Sequence, residues 1–399
     1  MKLFNFLKKS KPQDENTPPP YYDYIRNGSQ TGLSVSPNNA MTLTGVFSCV
    51  RVLAESVGML PCFLYEDTGS ERKKAIRDDL YKLLYIAPND YMTPQEFWEC
   101  IMTNLCLRGN FYAYKVKING KVKELLPLDA GAVFAKLDNN WQPVYQVTFP
   151  DGNSQFLTQD DIWHVRIFTK DSFLGISPIT QARKAAELAM ATEQFGSGLF
   201  GNGAVSSGVL QTDQTLTDES FNRLKKEFTE NHTGLSNAHK PMILEMGLKW
   251  NQISMSSEDA QFLETRKFQL EEICRIFRVP LHLVQNTDRA TFSNIENLGM
   301  GFVNYSLIPY LTRIEQRINI GLVEKSKQGR FYAKFNVGAL MRGDMSSRYK
   351  SYATGINWGI LSPNECRDLE DRNPREGGDV FLTPLNMTAN TGKEDEEQV

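Results

Sequence analysis

The stretch from Asp259 to Glu324 constrains this chain most, because it carries two long helical patterns separated by a short irregular break. The first, D-A-Q-F-L-E-T-R-K-F-Q-L-E-E-I-C-R-I-F-R, stops at Val279-Pro280, since proline biases the residue before it away from helical geometry. The break, L-H-L-V-Q-N-T-D-R-A-T, carries the turn formers Asn286, Asp288 and Thr291. The second pattern runs from about Phe292 to Glu324. At a rise of about 1.5 Å per residue the two are rods of roughly 30 Å and 50 Å. Globular helices typically run about 8–20 residues, so the second is long for a small single-core domain.

The chain before the rods reads as an α+β body. Apolar residues at Val46, Val50, Leu53 and Val57 recur at helical spacing, and Pro61 then shifts the register into a short strand, C-F-L-Y. Thr93-Pro94-Gln95-Glu96 is a capping box with proline at the first helical position, which predicts a helix through Leu107 that stops at Gly109. Asn119-Gly120 between strand-like runs predicts a tight hairpin. A second hairpin is expected around Pro150-Asp151-Gly152, and another strand at Ile162 to Ile167. Helices with antiparallel hairpins give the α+β class.

Ser177-Pro178 opens an alanine-rich helix reaching Phe200, with Ala182, Ala185, Ala186 and Ala189 on one face. Between Gly196 and Met255 lies a small α/β insert. It has a strand at Gly208 to Gln211, a helix from Asp218 to Asn231 capped by Thr217, and strands around Pro241 to Glu245 and Leu248 to Ile253. Helix, insert, helix reads as a stalk bearing a small module. After the long rod, R-F-Y-A-K-F-N-V is expected to return as a strand to the first body's sheet. Ser362-Pro363-Asn364-Glu365 is another capping box, starting a helix through Asp371.

Composition narrows the function. The formal charge of this 399-residue chain is −3 and its pI is near 6.0, whereas a protein gripping duplex DNA through many phosphates is usually basic. The six cysteines are scattered without a C-x-x-C pair, which suits free thiols in a reducing compartment. No apolar run reaches about 18 residues, so no membrane span is expected. The K-rich start and Pro18-Pro19-Pro20 read as an exposed arm, and K-E-D-E-E-Q-V as an acidic tail.

Catalytic signatures are weak. Gly196-Ser197-Gly198-Leu199-Phe200-Gly201 matches G-x-G-x-x-G but follows a helix rather than a strand, so a flexible junction is the better reading than a nucleotide site. The histidines fit no paired-ligand spacing, and no G-x-x-x-x-G-K-[ST] is present. Asp160, Asp161 and His164 are the residues on which an unrecognised metal-dependent nucleic-acid-processing enzyme would depend. A monomeric cytoplasmic binding module is a third reading. No catalytic residue, cofactor or metal is assigned.

Several ordered strings resemble the portal, or head–tail connector, proteins of long-tailed bacteriophages. They include Leu125-Leu126-Pro127-Leu128, Asp161-Ile162-Trp163-His164-Val165-Arg166, Gly175-Ile176-Ser177-Pro178-Ile179 and Phe200-Gly201-Asn202-Gly203-Ala204. Further on come Phe277-Arg278-Val279-Pro280, Ser293-Asn294-Ile295-Glu296, Ser362-Pro363-Asn364-Glu365-Cys366-Arg367 and Gly377-Gly378-Asp379. Arg278 departs from the family, which usually has glycine there. The resemblance implies a ring, typically dodecameric, at one capsid vertex of the virion, assembled in the host cytoplasm, with DNA passing through its axis during packaging and ejection.

It also implies a division of the chain. Residues 1–37 would be an N-terminal arm, 38–176 the wing, 177–200 and 257–279 the stem helices, and 201–256 the clip. Residues 280–292 would be the tunnel loop, 293–340 the long helix and return strand, 341–385 the crown and 386–399 the acidic tail. Pro309 would kink the long helix. The loop residues Gln285, Asn286, Thr287, Asp288 and Arg289 would face passing phosphates of double-stranded DNA. Clip residues His232, Asn237, His239 and Lys240 would meet the terminase large subunit and a head–tail adaptor. The major capsid protein and a scaffold protein are the other implied partners, with no membrane and no enzymatic role.

Overall fold

A computed structural model describes residues 35–37, 39–69, 71–149, 151–201, 208–212, 217–232, 248–252, 258–284, 298–340, 345–370 and 372–382. The chain divides into two compact units, one drawn from Met1–Arg289 and Asn304–Phe335, the other from Ala290–Val303 and Asn336–Val399. In the first, helix α1 (Thr44–Gly58) buries Val46, Cys49, Val50, Leu53 and Val57, the stripe its spacing predicts. Strand β1 (Cys62–Asp67) follows, then the short β2 (Arg72–Lys74) and helix α2 (Asp79–Tyr85), both absent from the sequence reading. Three charged, exposed residues give β2 no alternating pattern to detect, while Asp78 caps α2 by accepting from Leu80 N.

Helix α3 (Pro94–Arg108) carries the expected capping box, with Thr93 and Glu96 bonded reciprocally, and ends at Gly109 in the left-handed region, φ 74°. Strands β3 (Asn110–Ile118) and β4 (Lys121–Leu128) form the Asn-Gly hairpin. Asn119 and Gly120 both take positive φ, 52° and 75°, which suits a type I′ turn. Strands β5 (Val133–Leu137), β6 (Pro143–Thr148) and β7 (Ser154–Thr158) make a separate antiparallel sheet. Strand β8 (Ile162–Arg166) pairs with β3. The core between α3 and this sheet is aromatic, with Phe97, Trp98, Phe111 and Trp163 almost fully buried.

The alanine-rich helix is divided by Ala182 into α4 (Pro178–Gln181) and α5 (Arg183–Gly201). Hydrogen bonds from Ala182 N to Pro178 O and from Ala186 N to Ala182 O carry through the irregularity, so it distorts the rod without stopping it. Glycines 196, 198 and 201 lie inside α5, which corrects the expectation of a flexible junction there. In the insert, β9 (Gly208–Gln211) precedes α6 (Asp218–His232) and pairs antiparallel with β10 (Lys249–Gln252). The strand expected around Pro241 to Glu245 lies outside the described residues, as does the acidic tail and nearly all of the N-terminal arm.

Helix α7 (Glu258–Phe277) is the first rod. The second is described from Leu298 and ends in α8 (Ile308–Gly321). Pro309 falls in the first turn of α8, directly after a change of helix type. The turn before it, Phe302–Leu307, widens to π geometry, which accommodates a ring that lacks an N–H and crowds the carbonyl four residues back. β11 (Phe331–Phe335) then returns to pair with β1, as expected. In the second unit, α9 (Met345–Asn357) and α10 (Pro363–Leu369) follow, with the predicted capping box at Ser362 and Glu365. The helix ends two residues before Asp371, where Glu370 leaves helical geometry.

Candidate functional site

The two helices that flank the insert pack side by side. Ala186 and Ala189 of α5 are buried, Gln269 of α7 donates to Thr192 Oγ1 at 2.9 Å, and Arg266 lies 3.8 Å from Glu193. Small side chains on α5 allow this close approach. At its root, Glu187 is buried but paired with Arg183 at 2.7 Å, one turn away. Helix α7 also seats on α1. Gly45 of α1 leaves room for Leu270 and Ile273, whose side chains would lie 3.0 and 3.3 Å from any Cβ placed there. Beside them Cys49 and Cys274 place their sulfurs 3.7 Å apart, and the other four cysteines are also free.

The end of α7 is built with care. Arg278 takes φ 56°, the left-handed conformation that ordinarily calls for glycine. Val279 N reaches back to Cys274 O at 2.9 Å and Arg278 N to Arg275 O at 3.3 Å, the hydrogen bonding of a Schellman motif with Arg278 at its left-handed position. Val279 is buried, and a 3-10 turn, Leu281–Leu283, follows Pro280. Ser306, buried on the far side of the break, donates its hydroxyl to Arg278 O. The segment leaving α7 is therefore tied to the returning helix at its base. Sequence reasoning missed Ser306, because one serine in an apolar helix gives no signal of a cross-chain acceptor.

The five loop residues Gln285, Asn286, Thr287, Asp288 and Arg289 lie outside the described residues, as do Asn237, His239 and Lys240 of the insert. His232 closes α6 as its last residue. The structure thus places the anchor of the loop and the sheet of the insert.

Two residues of the nuclease alternative, His164 and Asp161, have structural roles. His164 is buried and its Nε2 lies 3.0 Å from Asn110 Oδ1. Asn110 spends its amide N–H groups on Arg108 O and Gly175 O and its oxygen on Gly175 N, so Oδ1 is an acceptor and Nε2 must carry the proton. Burial, with the charges of Arg166 and Arg317, holds the imidazole pKa well below its usual value. Asp161 accepts from the Thr158 N–H and hydroxyl at 3.1 and 2.9 Å and closes the turn before β8. Among the described residues no group of histidine, cysteine and carboxylate side chains could hold a metal ion. Nor is any described helix long and apolar enough to cross a membrane.

Two paired helices rooted in an α+β body, a small sheet-bearing insert between them and a clamped segment leaving the second define a structural subunit organised around its struts. The chain belongs to the phage portal protein family, which it matches over residues 44–371. It is 33% identical to the portal protein of Enterobacteria phage HK97 over 371 residues, covering 89% of this chain and 87% of that one. It is 30% identical to the probable portal protein of Streptomyces phage phiC31 over 370 residues, covering 90% and 81%. Among solved structures it resembles a chain in the neck of a native gene transfer agent particle computed with C12 symmetry. That match has a TM-score of 0.57 and 25% identity, and it covers 85% of this chain and 95% of the other. Membership carries a structural rather than an enzymatic role, as a ring component serving DNA packaging in a phage or phage-like particle, and the nuclease and monomeric alternatives find no support.

Proposed function

We propose that twelve copies of this chain close a ring at a single vertex of a capsid, through which double-stranded DNA is packaged and later ejected. The observation that carries the reading is the strut pair α5 and α7 with the insert between them, in a chain matching portal proteins over most of its length. In this ring the described α+β body is the wing, the struts are the stem, the insert is the clip, and α9 with α10 forms the crown. The half-exposed Leu188 and Phe268 on the struts support it, since a neighbouring copy would cover them. Twelvefold order is favoured by the C12 neck.

The loop carrying Gln285 to Arg289 projects toward the DNA path. Arg289 attracts phosphate while Asp288 limits retention, and the mild net acidity suits a conduit that must not hold its cargo. The clip, with His232, Asn237, His239 and Lys240, docks the terminase large subunit during packaging and a head–tail adaptor afterwards. The wing and crown face the major capsid protein and a scaffold protein during assembly in the host cytoplasm.

Native mass spectrometry and negative-stain imaging of the purified chain are expected to show closed rings, predominantly of twelve subunits. A chain that stays monomeric under every condition would overturn the reading. For the clip, charge reversal at Lys240 with His239 is expected to weaken adaptor retention in a pull-down, and unchanged retention would remove that assignment.

A further inference from the structure

Between β8 and α8 a cavity of about 180 Å³ opens, lined on its polar side by Arg166, Arg317, His164, Tyr145, Ser172 and Gln159. Arg317 is half-buried on α8, and among the described residues no hydrogen-bond or ion-pair partner meets its guanidinium. Arg166 is half-buried too; it donates to Phe173 O and lies over the Phe173 ring, 5.4 Å from its centroid. Asp171, the acid nearest in effect to Arg166, is committed to Phe173 N and Leu174 N at 3.0 and 2.8 Å. Two fixed positive charges therefore converge on one small cavity; Asp171 acts on Arg166 through space without an ion pair, and no carboxylate of the described residues meets Arg317.

The remaining polar groups of the cavity do not supply the missing charge. His164 is neutral, with its proton on Nε2, and its Nδ1 lies 3.4 Å from the Tyr145 hydroxyl. Burial lowers the pKa of both arginines, and for Arg166 the charge of Arg317 lowers it further. The contrast with Lys115, in the adjoining cavity, is instructive. That lysine is also buried, but its amine donates to Gln159 O at 2.8 Å and Gly321 O at 3.4 Å, capping the negative end of α8. Lys115 has a structural explanation within the chain, and Arg317 has none.

We propose that this cavity is a binding site for a single oxyanion, a phosphate group or a carboxylate, held by Arg317 and Arg166. Guanidinium presents a planar fork of donors that matches both oxyanions, and neutralising two converging like charges rewards occupancy. The site lies outside the portal reading and is testable on the subunit whether or not rings form.

The probe is inorganic phosphate titrated against chloride at constant ionic strength, with thermal unfolding as the readout. The wild-type chain is expected to gain about 2–4 °C at saturating phosphate. Arg317→Gln should lose that gain, Arg317→Lys should keep part of it, and Lys117→Gln, in the adjoining cavity, should keep all of it. Phosphorus-31 line broadening on the wild-type chain reads binding directly and does not depend on any variant folding. Protection that is present in free subunits but lost in rings would assign the occupant as a carboxylate of a neighbouring copy. Persistence in both would assign free phosphate. No gain and no broadening in the wild type, or an equal gain in Arg317→Gln, overturns the proposal.

Discussion

Arg278 stands where backbone geometry asks for glycine, and it does so at the base of the segment that matters most to the proposed channel. A non-glycine residue in the left-handed region costs about 1–2 kcal/mol, partly offset by the lower unfolded-state entropy of arginine. Arg278→Gly is therefore expected to raise stability by about 0.5–1 kcal/mol in urea unfolding. A loss instead would mean that the arginine side chain contributes a contact outweighing the strain. His164 gives the second residue-scale prediction. Its folded pKa lies well below 6.5, so the unfolded chain binds the extra proton and stability is lost as pH falls below about 6.5. The expected slope is about 1.4 kcal/mol per pH unit, and His164→Gln should flatten it. An unchanged slope in that variant would place the acid sensitivity elsewhere.

At the scale of elements, the α+β body closes through two glycines brought together from distant parts of the chain. A Cβ on Gly175 would fall 2.0 Å from Gly109 O, and one on Gly109 would fall 2.5 Å from Ile176 O. Here the end of α3 and the segment entering α4 touch backbone to backbone, and Ser177 seals the contact by donating to Leu107 O at 2.6 Å. Gly175→Ala is expected to cost more than about 2 kcal/mol in equilibrium unfolding, because neither backbone can retreat. A cost below about 0.5 kcal/mol would show the junction to be compliant. Caps, hairpins and rods were readable locally, since Thr93, Asn119-Gly120 and Ser362 each act within a few residues. β2 and β5 were not, and neither was the division at Ala182, because pairing partners and packing define them.

For the whole molecule, the proposed channel role makes loop and ring separable. Deleting Asn286 to Arg289 should leave ring formation intact while shortening packaged DNA or reducing its retention, measured on particles by gel sizing of the extracted genome. Normal length and retention would remove gating from the loop while leaving the ring untouched. The converse test is burial of the strut faces. Leu188→Asp with Phe268→Asp should impair ring closure in native mass spectrometry, with subunit helicity unchanged by circular dichroism. Rings that form normally would show those side chains to be ordinary exposed residues.

The sequence by itself determined the rods, their stops and the hairpins, because proline, capping boxes and Asn-Gly turns act through covalent geometry and hydrogen bonds only a few residues long. The ordered family strings also marked the portal family to which the chain belongs. Only the tertiary structure decided how Pro309 is accommodated, behind a π turn, and how the left-handed Arg278 is held, with Ser306 donating to its carbonyl from across the break. It alone brought Arg166 and Arg317 to one cavity, since residues 151 positions apart converge only when a strand and a helix pack. Such convergence depends on long-range burial, and local periodicity carries no record of which distant charge will lie opposite.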